Sequence, residues 1–250
     1  MSRCPHIDLG NPDNYIGGVP FEWLKELREK DPVHWTEYSE FREGGYWAIT
    51  THEDLDYVSK HPMLFSSAER TCMMMQVQDD MIDMQKMILI NMDPPDHIQH
   101  RRIVRRAFTP KVVDSYHQHF EDVAKDIVDR VASKGSCEFV EQVSAELPLI
   151  AICELMGVPI EHRHKIFEWT NVMIGADDPD MVVSEDEANL AMGELFMFGH
   201  QMAADYREAK DGGKEFSPIM EALLEEDEDG EKLSADEFST FFLILLVAGN

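Results

Sequence analysis

The segment Phe241-Phe-Leu-Ile-Leu-Leu-Val-Ala248 is apolar at every position, and Ser234 with Glu237 forms a capping box at the start of the helix that leads into it. A helix with no polar face belongs in the centre of a large core. The chain has 250 residues, 44% of them apolar, enough to build such a core. Neither this segment nor any other apolar run reaches the ~18 residues of a membrane span, so no transmembrane segment is expected. The sequence stops at Asn250 with this helix half made. A core helix cut in its middle would leave a large apolar surface in water. We therefore expect the chain to be the N-terminal part of a longer protein.

The rest of the pattern is mainly helical. Phe21 to Lys30 reads as a short helix ending before Pro32, and Pro32–Tyr38 and Gly45–Thr50 read as a hairpin turning at Glu43-Gly44-Gly45. Thr51 with Asp54 starts a helix that stops near Pro62. Residues 66–91 read as irregular and are rich in methionine, including Met73, Met74, Met75, Met81, Met84 and Met87. Such side chains suit either ordinary core filling or an adaptable apolar surface. Pro94-Pro95-Asp96 is a helix entry with Asp96 placed to cap. Val112, Tyr116, Phe120, Val123, Ile127 and Val131 follow at helical spacing, predicting an amphipathic helix over 111–134. Further helices are expected over 141–156, closed by Gly157 and Pro159, over 160–174, and from a Ser184/Glu187 capping box to about Lys210. An acidic stretch follows before the Ser234 box.

Charge is distributed unevenly. The chain carries 22 Lys and Arg against 49 Asp and Glu, a formal charge of −27. That makes nucleic acid and anionic membrane surfaces poor partners. Yet from His97 to Val113 there is no acid, while Arg101, Arg102, Arg105, Arg106 and Lys111 stand together. This island is either a solvated helix face near acidic neighbours or an anion site or docking patch for an acidic partner. The polar N-terminus lacks an apolar signal core, and Cys4, Cys72, Cys137 and Cys153 form no CxxC pair, so a reducing cytoplasm is expected.

The island lies in Asp93-Pro-Pro-Asp-His97-Ile-Gln-His-Arg101-Arg102-Ile-Val-Arg-Arg-Ala-Phe-Thr-Pro110. His97 and Arg101 are one helical turn apart and can donate to one doubly carboxylated group. This segment resembles the C-helix signature of the bacterial cytochromes P450, which are haem-thiolate monooxygenases. The terminal Leu-Leu-Val-Ala-Gly-Asn250 is similar to the start of that family's long central I helix. The resemblance runs over essentially the whole chain and implies a mainly α fold with a small β-sheet, of which residues 1–250 form the N-terminal part of a single domain. It implies that His97 and Arg101 bind the propionates of haem b, and that Ala248, Gly249 and Asn250 lie on its oxygen side. The family's Glu-x-x-Arg pair and Cys-containing haem loop lie in its second half. None of the four cysteines here has that setting, so no metal ligand is expected in this sequence.

Residues 168–180 resemble the F-helix region of members that oxidise sterol side chains, methyl-branched lipids or terpenoids. With the methionine-rich segment it implies a substrate wall of Met84, Met87, Ile88, Leu89, Val172, Met173 and Ala248, lined for an apolar substrate. The family activates O2 with electrons that pass from NAD(P)H through a reductase and a ferredoxin. Its C helix lies on the electron-entry side, so Arg102, Arg105, Arg106 and Lys111 become a ferredoxin footprint. Two other readings are weaker. Residues 225–236 match a calcium loop only in part, with Glu first, Lys232 eighth and Asp236 last. The pairs His117/His119 and His162/His164 have i, i+2 spacing, which splays ligands on a helix. The alternative function, if the chain ends at 250, is a non-catalytic remnant that binds an apolar ligand or a partner.

Overall fold

The computed structural model describes residues 7–37, 44–72, 79, 81–175, 181, 183–210, 216–226 and 230–249. The chain divides into two compact units, residues 1–97 and 98–250.

The first unit begins with α1 (Phe21–Lys30), which buries Leu27 with Ile7 while Leu9 and Trp23 pack alongside. Strands β1 (Val33–Thr36) and β2 (Tyr46–Ile49) pair antiparallel, with Trp35 opposite Trp47 and ring centroids 4.9 Å apart. The expected strand end at Tyr38 and the turn residue Glu43 lie outside the described residues. Gly45 must be glycine: its φ is +80°, and a Cβ there would sit 2.2 Å from the Thr36 carbonyl oxygen. Buried His34 ties β1 to the N-terminal segment, its Nε2 donating to the Ile7 carbonyl at 2.9 Å while Nδ1 lies 2.8 Å from Asp31 Oδ2. Helix α2 (His52–Lys60) is capped by Thr51, whose side chain accepts from the Asp54 N–H. The stretch expected to be irregular contains two short turns, α3 (Ile82–Gln85) and a 3-10 turn at Leu89–Asn91. Both are shorter than the window in which helical periodicity can be read.

Helix α4 (Asp96–Ala107) starts at the end of the first unit and runs into the second. Asp96 is the first helical residue rather than the cap, and the Asp93 carbonyl accepts the His97 N–H at 3.0 Å. Helix α5 (Pro110–Ala132) is capped by Thr109, which accepts from the Val112 N–H. A π turn at Val140–Ser144 precedes α6 (Glu146–Met156), where one continuous helix was expected. Then come α7 (Arg163–Gly175), α8 (Glu185–Lys210), α9 (Pro218–Leu224) and α10 (Ala235–Gly249). Helix α9 was hidden in the acidic stretch. Ser217 caps it and Pro218 opens it, while Ile219, Met220, Leu223 and Leu224 are buried. The Ser-Pro step and the i, i+1, i+4, i+5 apolar spacing were the available signal.

Helix α10 is the hub of the second unit. Phe238, Phe241, Phe242, Leu243 and Leu246 are buried against α8, α6 and α7. Its crossing with α8 is made close by Gly199, where a Cβ would come 3.1 Å from Ser239 Cα and 3.2 Å from the Phe242 ring. The apolar character that continues round the helix is only partly covered by this chain. Ile244, Leu245 and Val247 are half-buried, and Ala248 and Gly249 are exposed.

Candidate functional site: an unpaired cationic face on helix α4

Helix α4 sorts its polar side chains by face. One face turns into the second unit: Ile103 and Ala107 are buried, and His100 Nε2 lies 2.7 Å from Glu237 Oε1 of α10. Gln99 donates to the Glu231 carboxylate, and the Arg106 guanidinium lies 3.5 Å from the carbonyl oxygens of both Glu225 and Glu231. This is an internal seam between the basic helix and part of the acidic stretch. Glu237 also accepts the Ser234 N–H at 2.7 Å, closing its capping box. The His100 hydrogen bond, helped by Ser234 and opposed by burial, holds the Glu237 carboxyl at about 2.

The opposite face carries His97, Arg101 and Arg105 at i, i+4, i+8. Among the described residues none of these three side chains makes a hydrogen bond or ion pair. His97 is half-buried and the two arginines are exposed. Hydrogen-bond donors one turn apart, with no carboxylate among the described residues bonded to them, fit a group that brings two carboxylates. Asp93 lies at the foot of this face but its hydrogen bonds are committed elsewhere. It accepts from the Ser66 hydroxyl and, at 2.9 Å, from the Ser67 N–H, and these bonds hold its carboxyl below the usual range, with a smaller pull from the nearby His97.

The remaining sequence-derived positions fall in several places. Arg102 and Lys111 are exposed, whereas Arg106 is half-buried in the seam. In the first unit Met84, Met87 and Leu89 are half-buried and Ile88 is buried. In the second, Val172 and Met173 are half-buried on α7. Asn250 lies outside the described residues. Gly249 has a local reason for being small: a Cβ would meet Ile152 Cδ1 of α6 at 2.4 Å. The contact is with the end of a flexible side chain, so packing on α6 favours a small residue here but does not require one.

The three described cysteines differ in exposure. Cys72 and Cys137 are exposed, and burial pushes the Cys153 thiol up to about 11, where the thiolate is disfavoured. Cys4 lies outside the described residues. Among the described residues no group of three His, Cys, Asp or Glu side chains is placed to hold a metal ion, and no helix is long and apolar enough to cross a membrane. The paired histidines have separate neighbours: His117 lies 3.3 Å from Glu121, His119 lies 2.6 Å from Glu154, and His162 packs edge-on against Phe198.

Solved structures share the fold of this chain. A cytochrome P450 of Mycobacterium marinum, CYP268A2, in complex with pseudoionone, superposes on the whole chain with a TM-score of 0.80 at 24% identity, and the match covers 62% of that protein. CYP109E1 of Bacillus megaterium matches 93% of the chain at 28% identity, with a TM-score of 0.73 over 57% of its own length. The fold is that of the cytochromes P450.

Sequence similarity narrows this. A steroid C26-monooxygenase of Rhodococcus jostii is 37% identical over 251 residues, covering 98% of this chain and 52% of the relative. A methyl-branched lipid omega-hydroxylase of Mycobacterium tuberculosis is 34% identical over 209 residues, covering 82% of this chain and 47% of the relative. No family model matches. The chain belongs with the bacterial cytochromes P450, related to the steroid C26-monooxygenases and methyl-branched lipid hydroxylases, and spans about half the length of these curated relatives.

Proposed function

We propose that the complete protein is a haem-dependent monooxygenase that hydroxylates an apolar substrate: a sterol side chain, a methyl-branched lipid or a terpenoid. The observation that carries this reading is the unpaired His97/Arg101 pair on α4, in a chain similar to steroid and lipid hydroxylases along its length. Haem, when bound with its family thiolate ligand, supplies O2 activation and insertion of one oxygen atom into a C–H bond. The region bearing that cysteine is not in this chain.

The chain's own residues then have definite tasks. His97 and Arg101 hold the two haem carboxylates by charge-assisted hydrogen bonds and fix the orientation of the ring. Met84, Met87, Ile88 and Leu89 on one segment, with Val172 and Met173 on α7, supply apolar surface that binds substrate and excludes water. Ala248 adds a small apolar contact, and by the family resemblance Ala248, Gly249 and Asn250 would lie on the oxygen side of the cofactor. Arg102, Arg105 and Lys111, all exposed, form the docking surface for an acidic ferredoxin fed from NAD(P)H through a reductase. Arg106, expected in this footprint, is half-buried with its guanidinium 3.5 Å from the Glu225 and Glu231 carbonyl oxygens and is left out of the docking surface.

The test is a reduced, carbon-monoxide difference spectrum of the complete protein. A strongly red-shifted Soret band is expected. A colourless protein would refute the reading and favour an apolar-binding remnant. Replacing His97 and Arg101 together by Leu is expected to lower haem retention at least tenfold while leaving the helical circular-dichroism signal unchanged. Full retention would remove these two residues from the cofactor site.

A further inference from the structure

The chain leaves Cys72 and is back beside it at Asn91. The Cys72 N–H donates to Asn91 Oδ1 at 2.9 Å. Asn91 Nδ2 donates to the Gln85 carbonyl at 3.0 Å and approaches Gln85 Oε1 at 3.3 Å. The Asn91 N–H donates to the Ile88 carbonyl at 2.8 Å. The residue is only 1% exposed. One buried amide thus spends its acceptor on one segment and its donors on another, which no other side chain of similar size can do. Asp would lose the donors, and Leu would remove the side-chain acceptor that holds the Cys72 N–H and leave no polar group to bond Gln85 from within.

Two neighbouring features show that the closure is tightly held. Asp93 repeats the fastening two residues on, through Ser66 and Ser67. Thr71, next to Cys72, has φ +71°, a left-handed conformation that a β-branched residue adopts only when its surroundings impose it. The turn that Asn91 closes carries Met87, Ile88 and Leu89, with Met84 just before it.

We propose that Asn91 is the positioning residue of the substrate wall. It sets where Met84, Met87, Ile88 and Leu89 stand, and so governs affinity for a bulky apolar substrate without touching it. This inference rests on the substrate-wall reading above.

The test uses the complete haem-loaded protein, its Asn91→Leu variant and its Asn91→Asp variant. Three quantities are read: exchange of the Cys72 amide and the 86–91 amides, the Kd of a sterol bearing its full side chain from the haem spin-state shift, and the Kd of imidazole, which needs only the iron. In Asn91→Leu the Cys72 amide is expected to exchange at least tenfold faster and the sterol Kd to rise about tenfold, with the imidazole Kd and protection of α8 and α10 unchanged. Should Asn91→Leu fail to fold, Asn91→Asp decides. It keeps the acceptor for Cys72 and loses the donors to Gln85, so the 86–91 amides are released, Cys72 stays protected, and sterol affinity still falls. Released amides with an unchanged sterol Kd would overturn the role given to Asn91, as would equal loss of sterol and imidazole binding. A wild type that shows no spin-state response to any sterol or branched lipid overturns the substrate reading itself.

Discussion

The His100–Glu237 pair gives a quantitative test of how α4 is held to α10. Replacing Glu237 by Gln keeps the side chain's size and one acceptor for the Ser234 N–H but removes the charge facing His100 at 2.7 Å. A carboxyl held at about 2 instead of its ordinary 4.5 is favoured in its ionised form by ~3 kcal/mol, at about 1.36 kcal/mol per pH unit. The Glu237 side chain is 30% exposed, so solvent screening reduces the net contribution to ~1–2 kcal/mol. The pKa is lowered on folding, so this stability is fully present above about 4.5 and is lost as pH falls towards about 2. Urea denaturation of wild type and Glu237→Gln should therefore differ by ~1–2 kcal/mol at pH 6, with more than half of the gap gone near pH 3. A double-mutant cycle with His100→Gln should return a coupling of similar size at pH 6. A gap that stays constant with pH, or two substitutions whose effects simply add, would refute the assignment of this carboxylate to His100.

Three further outcomes follow from the packing. Gly199→Val should destabilise by ~1–3 kcal/mol because its side chain must enter the α8–α10 crossing, read as a lower urea midpoint. Gly193→Ala, six residues earlier on the same helix with nothing within 4 Å of its Cβ position, should stabilise by ~0.5–1 kcal/mol in the same assay. Native alkylation at pH 8 should modify Cys72 and Cys137 and spare Cys153, whose thiol is buried and pushed up to about 11; peptide mapping that finds Cys153 labelled at a comparable rate would contradict its place in the core.

Much of the fold was legible because its signals are local. Phe21–Lys30, the Thr51 cap and both Ser-x-x-Glu boxes fall where their residues predict, since a cap bonds to backbone only three residues away. Short elements escaped for the same reason: Ile82–Gln85 and Pro218–Leu224 offer too few turns for a period, and the acids around α9 masked its four buried residues. The candidate site divides along the same line. That His97, Arg101 and Arg105 share one side of a helix follows from i, i+4 spacing. That they are unpaired while His100 and Arg106 are engaged does not, because the partners, Glu225, Glu231 and Glu237, lie more than a hundred residues along the chain.

The sequence by itself determined the helical class, the start of most long helices, the one-turn spacing of His97 and Arg101, and the family resemblance, all carried by bonds and patterns within a few residues. Only the tertiary structure decided which polar side chains of α4 are engaged internally, why Gly199 at the α8–α10 crossing is small, and that Asn91 closes the segment bearing Met87 and Ile88. Each of these depends on which atoms meet across distant segments, and side-chain periodicity carries no record of what stands opposite.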